Sequence, residues 1–365
     1  MTKTPPETIA ARVQALRQHL QQRHLTGMVV VNEANRRYLS GFTGSTGWLV
    51  ITADAARLIT DGRYWERVAE EAPYYELVRV RQRYDETLKE TFGLLSGSVG
   101  FEAQTVTVDQ FERLFAPVEQ VEWTRADDLV ATLRQVKGDE ELEIIRRAAA
   151  ITDAAMARVP ELLHPGMTEA DLAWELEKAM REGGAQGLAF PSIVAFGENS
   201  ALPHAEPGDR PLRTEMAITI DMGARVDGYC ADLTRSFWYG TRPDAAYLRA
   251  WKAVREALIA GIIGLRPGVS GRMVDALARD TLGRYGYKEA FLHSLGHGVG
   301  LVVHEGPRLS RLSDDVLAAR NVVTVEPGVY FAKRWGIRLE ELVIVWDNGA
   351  QVVSQAPMWV TIPPQ

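Results

Sequence analysis

At 365 residues the chain exceeds one ordinary hydrophobic core, so two domains are expected, and 46% hydrophobic with 24% charged residues is the composition of a soluble globular protein. A net charge of −7 leaves no basic footprint for nucleic acid. The single cysteine, Cys230, excludes an internal disulfide and, with neither an apolar leader core nor any run near ~18 apolar residues, sets the expectation of a cytoplasmic protein that does not enter a membrane.

Along the chain, Ile9, Val13, Leu16 and Leu20 recur at helical spacing over residues 7–24, and Thr26-Gly27 separates them from a β-rich run at 28–31. Residues 35–52 put a Gly/Ser/Thr loop before another strand, and 56–72 repeat strand, turn and helix. Those glycines lack both the Walker lysine and the GxGxxG spacing, so they are read as a turn between strands rather than a phosphate cradle. Further alternation through 99–101 and 106–114 predicts a mixed α/β domain over residues 1–132.

A second domain is expected over residues 133–365. It opens with Gly138-Asp139 as a helix cap, acids in the first turn, and Leu142, Ile145, Ala149 and Thr152 on one stripe of a long helix. Two later segments, LHPGMT at 163–168 and LRPGVS at 265–270, lie 102 positions apart, and each leads into an apolar-periodic helix of matching length. This is an internal pseudo-repeat, and it predicts a duplicated α+β unit whose two antiparallel sheets surround a central cleft.

Residues 217–237 read as two strands joined at Asp227-Gly228, a pair suited to a type I′ turn because both central residues need positive φ. That turn sets Val226 opposite Tyr229, Gly223 opposite Asp232 and Asp221 opposite Thr234. Asp221 and Asp232 then share one face as diagonal neighbours, roughly 7–8 Å apart at the backbone, within reach of a common metal. Cys230 falls on the same face; it is either a thiolate ligand or a small buried packing group.

Four of the seven histidines, His204, His293, His297 and His304, belong to the second domain, while His19, His24 and His164 fall on helix or loop stretches. Glycines flank His297, which suits an imidazole that must be aimed. Glu326 interrupts an apolar strand ahead of Pro327, and Arg338 and Glu340 share a face with Glu341 on the other. A metal-free reading would pair Arg338 with Glu326 or Glu340. Four acids and one imidazole leave too much negative charge for one arginine, so divalent cations are expected instead. Oxygen-rich ligation with one histidine favours Mn²⁺ or Co²⁺ over Zn²⁺. Five side chains exceed what one ion takes, so a pair holding a bridging hydroxide is expected.

The run GENSALPHAEPGDRPL (197–212), the Asp221/Asp232 hairpin, GHGVGLVVHEGP, VEPGVY and GIRLE resemble, in order and spacing, the pita-bread metallopeptidases of the Xaa-Pro branch, which contains prolidase and aminopeptidase P. NRRYLSGFTGS and TDGRY are similar to that branch's creatinase/prolidase-like N-terminal domain, so the resemblance spans nearly the whole chain. It implies an α+β pita-bread catalytic domain with pseudo-twofold symmetry behind a smaller mixed α/β domain that limits access to the cleft, and a homodimer. It implies Asp221, Asp232, His297, Glu326 and Glu340 as ligands of two metal ions, with Asp232 and Glu340 bridging and Glu326 also the general base. His204 and His304 match histidines that steady the substrate carbonyl and the tetrahedral intermediate. His293 matches a residue near the substrate amine and proline pocket, Arg338 the arginine that orients ligand carboxylates, and Tyr330 an aromatic after the EPG turn, assigned here to substrate binding.

The implied reaction is hydrolysis of the Xaa-Pro bond in short peptides, with dipeptides preferred. Arg308 resembles an arginine that holds the free proline carboxylate in compact prolidases; a solvated loop arginine is the other reading. The alternatives are an aminopeptidase P acting on longer Xaa-Pro peptides and a non-catalytic scaffold, the latter disfavoured by a complete ligand set. Methionine aminopeptidase shares the ligands but lacks the N-terminal domain. The tail SQAPMWVTIPPQ departs from the branch's usual ending.

Overall fold

The computed structural model describes residues 4–364, which divide between Arg134 and Gln135 into two compact units. In the first, the apolar stripe of the helix Pro6–Gln22 buries Ile9, Val13, Leu16 and Leu20, as its spacing requires. A six-stranded mixed sheet follows: β1 (Gly27–Val30), β2 (Trp48–Thr52), β3 (Ala56–Asp61), β4 (Glu76–Val80), β5 (Gly97–Phe101) and β6 (Val121–Arg125), in the order β4-β3-β2-β1-β5-β6. Trp48, Phe92, Phe101 and Phe115 form the aromatic centre of its core. Residues 33–40, which run into the stretch 35–52 read as a loop leading to a strand, are helical: Asn32 caps Glu33–Ser40 by accepting from the Asn35 amide at 3.1 Å. The short segment hid that helix because its apolar residues span only two turns.

The second unit starts with the helix Asp139–Ala157, where the Gly138 amide donates to Glu141 and Leu142, Ile145, Ala149 and Thr152 are buried. The two pseudo-repeat helices, Glu169–Glu182 and Gly271–Arg284, are each 14 residues long. Each packs with one of two antiparallel-rich sheets. The four-stranded sheet runs in space as Thr361–Ile362, Leu233–Tyr239, Met216–Met222, Ile193–Phe196. The five-stranded one runs as Glu305–Leu309, Gly296–Gly298, Val322–Val325, Glu341–Trp346, Gly349–Val352. The tail's two-residue strand lies parallel to Leu233–Tyr239, so the unusual C-terminus closes a sheet edge.

The central hairpin has the register expected from its turn: Val226 faces Tyr229 and Asp221 faces Thr234, with Asp227 at φ 44° and Gly228 at φ 79°. Alternation then does two jobs. Ile218, Ile220, Leu233 and Phe237 enter the apolar core beneath the helix Glu169–Glu182. Thr219, Asp221, Thr234 and Ser236 take the opposite face, where Ser236 meets the second half through the backbone of Arg338 at 2.9 Å. The hairpin thereby carries carboxylates toward the other sheet. Cys230 is buried among Tyr229, Ala231, Val299 and Leu342, which assigns it to packing.

Candidate metal centre and substrate cavity

A cavity of about 620 Å³ in the second unit is lined by His204, Asp221, Asp232, His293, His297, His304, Arg308, Glu326, Arg338 and Glu340. Most of these come from loops, strand ends or strand breaks, while Asp221, His297 and Arg308 lie within strands. Asp232 lies in the break between Tyr229–Cys230 and Leu233–Tyr239, and Glu340 between Trp335–Arg338 and Glu341–Trp346, although both were read as strand-interior residues. Tyr330 lies behind the wall: its hydroxyl sits 2.9 Å from His293 Nε2 and 2.8 Å from Arg338 Nη1.

One oxygen each of Asp221, Asp232 and Glu340 lie within 4.8 Å of one another. His297 Nε2 is 3.3 Å from Glu326 and 3.7 Å from Asp232. Its Nδ1 is 3.1 Å from the Gly298 carbonyl, which can only accept, so Nδ1 carries a proton and Nε2 is the nitrogen turned toward the acids. Gly296 and Gly298 are required by close approach rather than by unusual φ, because a Cβ at either would stand 2.1 or 2.0 Å from a neighbouring strand's carbonyl oxygen.

Arg338 is 4% exposed at its side chain and ties the acids together. It donates to Asp221 at 2.5 Å, Thr234 Oγ1 at 3.1 Å, Tyr330 at 2.8 Å and the Pro203 carbonyl at 3.1 Å. Its carboxylate partner is thus Asp221 and neither Glu326 nor Glu340: register puts Thr234, the residue facing Asp221, under the guanidinium. The Thr234 hydroxyl donates in turn to Glu340 at 2.7 Å. Sequence reasoning did not single out Thr234, though the hairpin register had placed it opposite Asp221. Along a second branch, His293 Nδ1 lies 2.8 Å from the Ser294 carbonyl, so its Nε2 accepts from Tyr330. Burial lowers the pKa of His293, consistent with a neutral ring.

The electrostatics are strained. Burial, then the charges of Glu340, Asp221 and Glu326, raise Asp232 well above the carboxylate range, and burial with Glu326 and Asp221 does the same to Glu340. Glu326 goes the other way: although burial opposes it, the hydrogen bond and charge of His297 hold it at about 2. Asp221 Oδ1 and Glu340 Oε1 are buried without a hydrogen-bond partner. Four convergent carboxylates, one aimed imidazole and two orphaned oxygens are a donor set that fits hard divalent cations.

Toward the rim, His304 packs edge-on against His297 at 4.4 Å between ring centroids, and burial with the His297 charge lowers its pKa. Arg308 is exposed on the cavity wall, its amide fixed by Asp315 at 2.7 Å. Glu341, on the opposite face from Glu340, pairs with buried Arg235 at 3.0 Å.

A two-sheet fold with this acid-and-histidine cavity defines a metallohydrolase class, and comparison with known proteins narrows it. The family model described as Metallopeptidase family M24 matches residues 143–347, and that of the Creatinase/Prolidase N-terminal domain matches 12–136. An uncharacterized peptidase, YqhT, of Bacillus subtilis is 35% identical over 95% of this chain and 98% of its own. The structure of a Xaa-Pro dipeptidase from Bacillus anthracis superimposes with a TM-score of 0.93 at 36% identity, covering 97% of this chain and 99% of that one. An X-Pro aminopeptidase from Thermotoga maritima does so with 0.88 at 34%, covering 96% and 99%. The chain belongs to metallopeptidase family M24, with a creatinase/prolidase-type N-terminal domain ahead of a pita-bread catalytic domain. Among the described residues no helix is long and apolar enough to cross a membrane.

Proposed function

We propose that this metallopeptidase cleaves the Xaa-Pro bond of dipeptides, working with two divalent ions, Mn²⁺ ahead of Co²⁺ or Zn²⁺. The observation that carries the reading is the convergence of Asp221, Asp232, His297, Glu326 and Glu340, with two orphaned carboxylate oxygens among them, on one cavity wall. These five would hold the ions. Bound there, the cations would polarise the scissile carbonyl and bring a water's pKa toward neutrality.

The chain's own groups would supply the rest. Glu326 accepts the proton that the attacking water gives up and returns it to the proline nitrogen as the C–N bond breaks. His204 and His304, both lining the cavity, donate to the carbonyl oxygen as it gains charge. Arg338 fixes Asp221, and through Tyr330 fixes the ring of His293 beside the proline pocket. A cavity of about 620 Å³ accommodates a dipeptide with room for water, and Arg308 on its wall offers the free proline carboxylate a charge-assisted partner.

The aminopeptidase reading is supported by the likeness to the Thermotoga maritima structure. Proline release from a Xaa-Pro dipeptide, measured beside release of the first residue from Xaa-Pro-Yaa, decides between them. A kcat/KM higher for the tripeptide would overturn the dipeptidase assignment. A homodimer is part of the same proposal, and sedimentation at micromolar concentration tests it; a monomer there would remove that part alone.

A further inference from the structure

The helix Glu169–Glu182 carries a buried acid that the chemistry above does not use. Glu169 is 0% exposed and does not line the cavity, yet both its oxygens act as acceptors. Oε1 accepts from the Phe196 amide at 2.7 Å and Asn199 Nδ2 at 2.9 Å; Oε2 accepts from Asn199 Nδ2 at 3.1 Å and the Gly208 amide at 3.1 Å. Two of these donors stand near the start of the segment 196–208 and one at its end. Between them, residues 203–207 form one continuous piece of the cavity wall that includes His204. Backbone bonds from Glu169 N to Arg210 O and Ala170 N to Gly208 O lay the end of the segment across the first turn of the helix. The helix dipole favours an acid at this position.

The pseudo-repeat gives an internal comparison. In the other half the corresponding first helical residue is Gly271, where a Cβ would stand 2.0 Å from the Arg308 carbonyl oxygen, and Asp315 accepts from the Arg308 amide. Each half thus seats a segment of the cavity wall on the start of its repeat helix, a strand through direct backbone approach in one and a loop through a carboxylate in the other.

We infer that Glu169 is the positioning residue for His204: its carboxylate fixes both ends of the 196–208 loop, so that the imidazole is presented to the scissile carbonyl. This rests on the proposed role of His204 in peptide hydrolysis. Glu169→Gln tests it, because the amide nitrogen would face an N–H donor in place of an acceptor. On a Xaa-Pro dipeptide, with bound metal quantified and unchanged, kcat should fall roughly 10- to 100-fold, the scale of a misplaced catalytic group, while KM moves far less. In a His204→Ala background the same change should cost nothing further. An equal loss in that background, or no loss in wild type, overturns the inference.

Amide hydrogen exchange separates failure here from failure of the functional reading. Should His204→Ala keep full kcat, the role of His204 falls, and Glu169 is judged by the Phe196 and Gly208 amides: at least roughly tenfold faster exchange in Glu169→Gln supports the clasp, and unchanged protection refutes it. If Glu169→Gln does not fold, Asn199→Ala removes two of the four bonds from a half-buried side chain. It should show a smaller kcat loss with the same dependence on His204, and additivity would again refute the inference.

Discussion

Replacing Asp232 with asparagine should stabilise the metal-free protein and destabilise the metal-loaded one. Asp232 is 6% exposed and shares an oxygen cluster with Asp221 and Glu340, all within 4.8 Å. At an effective dielectric of about 20, unit charges at that separation repel by roughly 3.5 kcal/mol, so two such neighbours set an upper limit of about 7 kcal/mol. Partial protonation and the nearby Arg338 reduce this, leaving an expected gain on the order of 2–4 kcal/mol for Asp232→Asn, or roughly 4–15 °C in Tm for a unit of this size. The sign with pH follows from the direction of the shift. Burial and like charges raise the folded-state pKa of Asp232, so folding favours its protonated form. That contribution is present in full below the unfolded carboxylate pKa and is lost as pH rises through the raised value. Metal-free wild type should therefore lose stability from acid toward pH 8, and Asp232→Asn should lose less. Excess Mn²⁺ should raise the wild-type Tm and leave the variant's nearly unchanged, because binding to the folded state alone stabilises it. Calorimetry of chelator-treated protein between pH 5 and 8, with and without Mn²⁺, reads all three effects. If Asp232→Asn lowers Tm as much without metal as with it, the acids are not crowded as described.

The remaining predictions concern single groups. Glu326→Gln should lower kcat by roughly 10²–10⁴ with the fold retained, as judged by circular dichroism, because the amide cannot take the proton; full turnover would refute its role as base. Arg308→Ala should reduce kcat/KM for a Xaa-Pro dipeptide by about 10- to 100-fold, the scale of one charged hydrogen bond, with a much smaller effect on Xaa-Pro-Yaa; equal losses would count against carboxylate recognition. Thr234→Val removes the donor to Glu340 and the acceptor for Arg338 Nε, and should cost about 1–3 kcal/mol in urea unfolding of the metal-free protein. No change there would mean that water replaces the hydroxyl.

What could be read from the sequence was whatever local rules determine. The turn at Asp227-Gly228 fixes the hairpin register, the register fixes the shared face of Asp221 and Asp232, and both follow from φ preferences and a period of two. The pseudo-repeat was legible because each Pro-Gly is followed by a capping hydroxyl at the same distance, and the two helices keep equal length. The partners of buried charges were not legible, because they are chosen in three dimensions. Arg338 could reach several acids along its own segment, yet it takes Asp221 from the other half, since the Ser236 contact docks the hairpin beside it. Tyr330 shows the same limit: its place in the sequence suggested a substrate contact, and packing turned its hydroxyl into a link between Arg338 and His293.

Glu169 marks where local reasoning gives the wrong weight to a residue. At the first position of a helix, an acid after a Thr cap reads as an ordinary complement to the helix dipole, worth a few tenths to one kcal/mol. In the folded chain that carboxylate has no exposure and accepts from three places along one loop. A buried carboxylate stripped of such donors would cost several kcal/mol, so the loop and the acid must order each other. The geometry of the His204 wall is therefore coupled to the helix start. The same coupling in the other half rests on Gly271, where only the missing side chain lets the Arg308 backbone approach. The pseudo-repeat supplies two equivalent helix starts, one seating a loop through the Glu169 carboxylate and the other seating a strand through the absence of a side chain at Gly271.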